Sequence, residues 1–134
     1  MLRGINVGGD CKVPARPDGD TRLKEGFYDR KGVSFVGRPF PLDEADAHFA
    51  RLKSWGLDFI RLLVTWEAVE HEGPGIYDEE YLDYIEAIAA KAGERGLSLF
   101  VDPHQDAWSR WTGGDGAPMW TLDAAGFENE RLFA

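Results

Sequence analysis

The fold is decided by two stretches of similar design, Gly56-Leu57-Asp58-Phe59-Ile60-Arg61-Leu62-Leu63-Val64 and Gly96-Leu97-Ser98-Leu99-Phe100-Val101. Each begins with Gly-Leu and continues as an apolar run rich in β-branched and aromatic residues, a composition typical of a strand. Subtracting 56 from 96 gives a period of 40 residues, and a segment with helical periodicity precedes each glycine. Because a strand-helix-strand crossover is the unit of parallel sheets, this order predicts an α/β protein.

Two helices are predicted from the spacing of apolar residues, one over 41–55 and one over 78–95. Asp78 is suited to cap the second helix, and Gly56 and Gly96 follow the helices as stop residues. The predicted buried stripes are Leu42, Ala45, Phe49 and Leu52 in the first helix and Tyr81, Leu82, Ile85, Ile88 and Ala92 in the second. Residues 3–7 alternate like a first strand, and a short hairpin is expected within 27–40.

Alternation along the second strand separates a purely apolar face from a face that carries Arg61. The apolar face, predicted to contact the helices, consists of Ile60, Leu62, Val64 and Trp66. Arg61 then points into the sheet interior, where a guanidinium needs a carboxylate to offset its desolvation. Two interpretations stay open, an ion pair that serves packing alone and a residue that positions a catalytic carboxylate.

Polar side chains collect at the end of the third strand, where Asp102 and His104 share one face. The carboxyl ends of parallel strands are where α/β proteins build their active sites. His104 is therefore interpreted as a site residue, the alternative being a loop histidine with local hydrogen bonds. Pro103 predicts that regular strand geometry ends at Asp102.

Four of the five tryptophans follow strand ends or lie in the loop after the third strand: Trp66, Trp108, Trp111 and Trp120. Flat rings with a single N–H donor suit the apolar face of a sugar or a lipid chain, and packing among themselves is the alternative. The fifth, Trp55, is predicted in the core. His48 and His71 are predicted at the surface or in local contacts, and Glu67, Glu70 and Glu72 in a solvated loop.

Composition and charge exclude several classes of protein. The 134 residues are 43% hydrophobic with a net charge of -9, and no apolar run approaches the length of a membrane span. The acidic balance argues against nucleic acid and anionic membranes as partners. Cys11 is alone, which excludes an internal disulfide. Residues 1–6 lack the pattern of a secretory signal, so a cytoplasmic location is favoured, or a processed chain.

Two other functions remain open from the residues alone. Asp102, His104 and Asp106 are spaced like ligands of a hydrolytic metal, although the loop geometry after Pro103 argues against it. A sugar-binding half-barrel without catalysis, completed by oligomerisation, is the non-enzymatic alternative.

Three motifs carry a resemblance to a known family: Leu-Arg-Gly-Ile-Asn-Val-Gly-Gly at 2–9, Trp-Gly-Leu-Asp-Phe-Ile-Arg-Leu at 55–62 with Trp66-Glu67, and Val-Asp-Pro-His-Gln-Asp at 101–106. Together they resemble the start of glycoside hydrolase family 5. The loop 106–121 resembles the branch with endoglycoceramidases, glucosylceramidases and steryl-glucosidases. The resemblance implies a (β/α)₈ TIM barrel and retaining hydrolysis of β-glucosides of lipids, such as glycosylceramides or steryl glucosides, by two glutamates and no cofactor.

The same resemblance assigns roles to residues. Arg61 matches the arginine that supports the nucleophile, and His104 the histidine that lines the sugar subsite. The remaining substrate-binding candidates are Gln105, Asp106, Trp66, Trp108 and Trp111. No metal site is implied.

The two catalytic glutamates of the family follow the fourth and seventh strands, and this chain shows three strands. Asn129-Glu130 has the family's dipeptide but follows no strand, so we do not assign it. Residues 1–134 are therefore interpreted as the N-terminal part of a glycosidase catalytic domain. The isolated chain is expected to be inactive and to aggregate or stay molten.

Overall fold

The computed structural model describes residues 1–15, 27–30 and 32–128. Its centre is a three-stranded parallel sheet in the order β1-β2-β3, with β1 at Gly4–Val7, β2 at Phe59–Thr65 and β3 at Ser98–His104. In this register Asn6 lies opposite Arg61, and Arg61 opposite Phe100. The predicted parallel α/β arrangement is confirmed, and the carboxyl ends of all three strands lie at one rim of the sheet.

In the described part of the chain four helices accompany the strands: α1 at Ala45–Ser54, α2 at Trp66–Glu70, α3 at Glu79–Glu94 and α4 at Met119–Ala124. Short 3₁₀ turns lie at Asp10–Lys12, Leu42–Glu44 and Arg110–Thr112. The Asp78 carboxylate caps α3 by accepting a bond from the Tyr81 N–H, as predicted. Gly56 and Gly96 follow α1 and α3 with φ of +76° and +66°, a conformation that favours glycine.

The core lies between one face of the sheet and the two long helices. Ile60 and Leu62 of β2 are each 1% exposed and belong to one cluster with Phe49 of α1 and Ile88 of α3. Burial of such side chains stabilises the fold by about 1.5 to 3 kcal/mol each. The predicted helix-facing side of β2 is thus confirmed for its aliphatic residues, whereas Trp66 is 38% exposed and begins α2.

Three local expectations are corrected. Trp55 is 63% exposed, because α1 ends at Ser54 and the ring lines a surface groove beside β1. β3 continues through Pro103 to His104, since within the described residues β3 pairs with β2 alone and a missing N–H is tolerated at a sheet edge. Residues 27–30 and 32–40 include no strand, although the Ser34 carbonyl oxygen accepts a 2.7 Å bond from the Ala15 N–H, and Val33, Phe35 and Phe40 join the core.

The other face of the sheet is open. Phe100 of β3, which lies opposite Arg61 in the register, is 51% exposed on this face. Val101 of β3 and Ile5 of β1 lie on the helix-facing side, opposite Leu62 and Ile60, and are 47% and 39% exposed. Across the described part of the chain, no helix combines the length and apolarity that crossing a membrane requires. Asn129 and Glu130 lie outside the described residues.

Candidate functional site

Arg61 and His104, the two residues singled out from the sequence, meet at one carboxylate oxygen. The Arg61 Nη2 donates to Asp102 Oδ2 at 2.6 Å, and His104 Nδ1 lies 3.1 Å from the same oxygen. Alternation explains the meeting, because Asp102 and His104 are two residues apart on β3 and share a face with Arg61 on the neighbouring strand. The expected carboxylate partner of Arg61 is therefore Asp102.

The second ring nitrogen of His104 faces another carboxylate. His104 Nε2 lies 3.5 Å from Asp115 Oδ1, and the second oxygen of Asp115 accepts a 3.0 Å bond from Lys12 Nζ. Basic and acidic groups therefore alternate along one row, Arg61, Asp102, His104, Asp115 and Lys12. Asp115 and Lys12 were not predicted as site residues, and the only local signal was an aspartate placed between glycines.

The glycines explain how Asp115 reaches the rim of the sheet. Asp106 and Asp115 exchange two backbone hydrogen bonds of 2.9 and 2.7 Å, so the loop after β3 folds back onto the end of that strand. A Cβ atom at Gly114 would lie 1.8 Å from the Asp106 carbonyl oxygen. The loop therefore needs glycine for close backbone approach.

The predicted metal ligands do not converge. Asp102 and His104 are in contact, whereas Asp106 is exposed and its backbone is used in the pairing with Asp115. Within residues 1–15, 27–30 and 32–128, no three His, Cys, Asp or Glu side chains form a group that could hold a metal ion. The metal-dependent alternative is therefore wrong for this string. Gln105 and Asp106 follow β3 as exposed residues at its rim.

Two of the predicted tryptophans keep accessible surface at this rim. Trp66 and Trp108 are 38% and 44% exposed, with ring centroids 6.5 Å apart and nearly perpendicular planes. Trp120 contacts Trp66 in the same manner at 5.3 Å. The indole N–H of Trp108 donates to the Thr121 hydroxyl at 3.0 Å. The rings therefore pack edge to face and still present apolar surface to solvent.

Glu70 holds the indole of Trp66. Its carboxylate accepts a 2.6 Å bond from Trp66 Nε1 and another bond from the Gly75 N–H, while its backbone oxygen accepts from Trp120 Nε1 at 2.7 Å. The bonds from Gly75 and Trp66 lower the pKa of the Glu70 carboxyl. Glu70 is thus part of the tryptophan cluster, which corrects the expectation of a solvated loop.

Trp111 lies in a different environment from the one expected of a substrate contact. Its ring is 4% exposed, and its N–H donates to the Tyr28 carbonyl oxygen at 3.2 Å. The guanidinium of Arg110 covers the ring at 3.8 Å from the centroid. Because the ring has almost no accessible surface, Trp111 is not retained among the residues that contact substrate.

Glu67 was also expected in a solvated loop, and this expectation is wrong. The residue is 2% exposed, and its two carboxylate oxygens accept bonds of 2.8 and 3.0 Å from Arg110 Nε. It points inward because α2 begins directly after β2, capped by the Thr65 hydroxyl, which accepts from the Ala68 N–H. Burial raises the pKa of Glu67 to about 7, although Arg110 opposes that shift.

Arg110 connects three segments of the rim. Besides Glu67 it donates to the Asp29 carbonyl oxygen at 2.8 Å, and burial lowers the pKa of its guanidinium. The Glu67 N–H in turn donates to the Gly116 carbonyl oxygen at 2.6 Å. The rim thus combines a fixed row of charged groups with exposed indoles, a combination suited to a polyhydroxylated ring with apolar faces.

Comparisons with known proteins agree on one family. The model of the family described as Cellulase (glycosyl hydrolase family 5) matches residues 25–130. A glucosylceramidase of Aspergillus fumigatus is 54% identical over 127 residues, which cover 95% of this chain and 17% of the fungal protein. An ergosteryl-beta-glucosidase of Saccharomyces cerevisiae is 44% identical over 140 residues, which cover 100% of this chain and 18% of the yeast protein.

Solved structures show the same relationship. Sterylglucosidase 1 of Cryptococcus neoformans superimposes with a TM-score of 0.91 at 46% identity, over 98% of this chain and 19% of that protein. With the strand order β1-β2-β3, this superposition confirms the prediction of an N-terminal part of a (β/α)₈ barrel. The chain spans less than a fifth of the length of these three relatives.

Proposed function

The chain belongs to glycosyl hydrolase family 5, and on that premise we propose that it is the N-terminal part of a retaining β-glucosidase that hydrolyses glucosylated lipids. The observation that carries the proposal is the convergence of Arg61 and His104 on Asp102 at the rim of the sheet. The rest of the protein would supply the two glutamates, the general acid/base and the nucleophile.

In this proposal Arg61 supports the nucleophile. The Asp102 bond uses one N–H of a guanidinium that has five, and the side chain is 35% exposed toward the open face of the sheet. A glutamate arriving from the opposite side of a closed barrel would meet a fixed positive charge. Such a charge keeps a carboxylate ionised and oriented for attack on the anomeric carbon.

The sugar-contacting groups are assigned from exposure. The exposed pair Gln105 and Asp106 would bind hydroxyl groups of the glucose ring, and the His104 ring, which is 18% exposed, would line the subsite beside them. Trp66 and Trp108 would cover its apolar face and the beginning of the aglycone. These roles follow from position at the rim and from the family motif.

Retaining hydrolysis then runs in two steps. In the first step the nucleophile forms a bond to the anomeric carbon, the glycosidic bond breaks, and the general acid protonates the departing lipid oxygen. In the second step a water that gives its proton to the same acid/base residue attacks the anomeric carbon, which breaks the glycosyl-enzyme bond and releases glucose. Lipid glucosides are proposed as substrates because similar proteins are named glucosylceramidase and ergosteryl-beta-glucosidase.

The test uses the complete coding sequence from which the 134 residues come. The purified protein is incubated with a glucosylceramide, a steryl glucoside and a water-soluble aryl β-glucoside, and glucose release is followed by NMR at early times. We expect release of the β-anomer first, and at least a hundredfold lower kcat for Arg61→Met. Release of the α-anomer first, or sugar binding without hydrolysis, would contradict the proposal.

A further inference from the structure

One contact at the rim is unexplained by the proposed roles of Arg61 and His104. His104 Nε2 and Asp115 Oδ1 face each other at 3.5 Å, and both atoms are buried. Neither atom has a hydrogen-bond partner within the described part of the chain. Among the described residues each of these two atoms has only the other to satisfy it, and catalytic hydrogen bonds are often long before substrate binds.

The position of Asp115 is fixed from two sides. Its backbone is tied to Asp106 at the end of β3 by the two hydrogen bonds described above. Its second carboxylate oxygen is held at 3.0 Å by Lys12, which lies in the 3₁₀ turn after β1. The side chain of Asp115 is only 6% exposed. Because its backbone and one carboxylate oxygen are fixed, the Asp115 side chain keeps its other oxygen directed at the His104 imidazole.

His104 is therefore held between two carboxylates, Asp102 at Nδ1 and Asp115 at Nε2. Asp102 alone would hold the ring only at Nδ1, and the rest of the imidazole could still move by rotation about the side-chain bonds of His104. A second contact at the opposite nitrogen restricts the ring to one orientation. A rigid ring gives the sugar subsite a fixed wall, and small displacements of groups that line an active site lower the rate strongly.

We propose that Asp115, held by Lys12, is a positioning residue that fixes the His104 ring for the glycosidase reaction. The proposal rests on the proposed function. In this proposal the 3₁₀ turn after β1 and the glycine-rich loop after β3 act together to orient His104. Lys12 acts through Asp115, and Asp115 acts through His104.

The first test is a double-mutant cycle in the complete enzyme with the aryl β-glucoside. We expect Asp115→Asn to lower kcat about 10- to 100-fold with a smaller change in KM, the coupling expected of residues in contact. In the background of His104→Ala, the same substitution should have almost no further effect. Equal losses in both backgrounds would overturn the proposal.

Lys12 offers a conservative rescue. Lys12→Met should lower kcat in the same direction as Asp115→Asn, and Lys12→Arg should restore most of the activity because it keeps the charge beside Asp115. Asp46→Asn is the matched control, because it removes a carboxylate from the ion pairs with Lys91 and Arg95 on the outer surface. Loss of activity in Asp46→Asn equal to that in Asp115→Asn would contradict the assignment.

A measurement that does not depend on enzyme activity tests the role of Asp115 separately from the proposed glucosidase function. Deuterium exchange at the ring C–H between the two imidazole nitrogens is measured by mass spectrometry for His104, with His48 and His71 as internal references. Asp115→Asn should change the exchange rate of His104 and leave the two references unchanged. An unchanged exchange rate at His104 would overturn the positioning role of Asp115. If the rate changes but the wild-type protein has no glucosidase activity, the contact between Asp115 and His104 is supported and only the proposed function is wrong.

Discussion

Arg110 closes a buried ion pair with Glu67, and the two residues belong to the segments that follow β3 and β2. Both side chains are at most 3% exposed. A pair desolvated to this degree adds little net stability, but removal of one partner leaves an uncompensated charge in the interior. Because Trp66 precedes Glu67 and Trp111 follows Arg110, the pair determines how the two rim segments sit against each other.

We expect Arg110→Met to lower the free energy of unfolding of the complete protein by about 3 to 5 kcal/mol, the cost of a broken buried ion pair. The double variant Arg110→Met with Glu67→Leu should recover much of that loss, because no charge stays buried. Denaturant unfolding with circular dichroism measures both values. A loss below about 1 kcal/mol in the single variant would show that no unpaired charge stays buried there, because Glu67 meets water or takes up a proton.

The pH dependence of stability follows from Glu67. Burial raises the pKa of Glu67 to about 7 from an ordinary value of 4.5, so the folded protein binds this proton more tightly than the unfolded chain. The corresponding stability is complete below about pH 4.5 and is lost as the pH rises through about 7. We expect the Tm of the wild type to fall relative to that of Glu67→Gln over this interval and to run parallel above it. Parallel Tm curves over the whole interval would rule out the raised pKa.

Glu70 controls the orientation of an exposed indole. We expect Glu70→Ala to raise KM for a lipid glucoside several-fold more than KM for an aryl glucoside, because Trp66 loses the carboxylate that its N–H binds. Glu70→Gln, which keeps an acceptor oxygen, should have a smaller effect. Glu72→Gln is the matched control, since that side chain is 60% exposed and lies two residues away. Equal changes in KM for both substrates would show that Trp66 does not contact the lipid aglycone.

The 134-residue chain expressed alone should self-associate or stay molten. Phe100 and Val101 lie exposed on β3, a strand that pairs on one side only within the described residues. Such an edge is a template for further strand pairing. Light scattering with calorimetry tests this expectation, and Val101→Lys should reduce association because a charge on the edge opposes pairing. A monomer that melts cooperatively would contradict it.

Much of the fold could be predicted because its signals are local. The period of two along β2 separates Arg61 from Ile60 and Leu62, and the glycines after α1 and α3 mark both helix ends. Arg61 and His104 could be selected for the same reason, since each is a polar residue on the interior face of an apolar strand.

The rest depends on contacts that no local pattern contains. Glu67 and Arg110 are 43 residues apart in the chain, and Lys12 and Asp115 are 103 residues apart. A glutamate after a strand resembles a solvated loop residue until its partner is known. Trp111 resembles Trp108 in sequence, but its indole is buried by Arg110 over the ring and by packing against Met119 and Leu122, contacts that no local pattern shows.

The last prediction concerns the glycine that brings Asp115 to the rim. A Cβ at Gly114 would lie 1.8 Å from the Asp106 carbonyl oxygen, so Gly114→Ala must break the backbone pairing that places Asp115 beside His104. We expect it to lower kcat at least as much as Asp115→Asn does. Gly93→Ala is the control, because an added Cβ meets nothing within 4 Å there and the residue lies within α3. That substitution should raise the free energy of unfolding by about 0.5 to 1 kcal/mol and leave kcat unchanged. Full activity in Gly114→Ala would mean that the loop tolerates displacement and that Asp115 does not need its observed position.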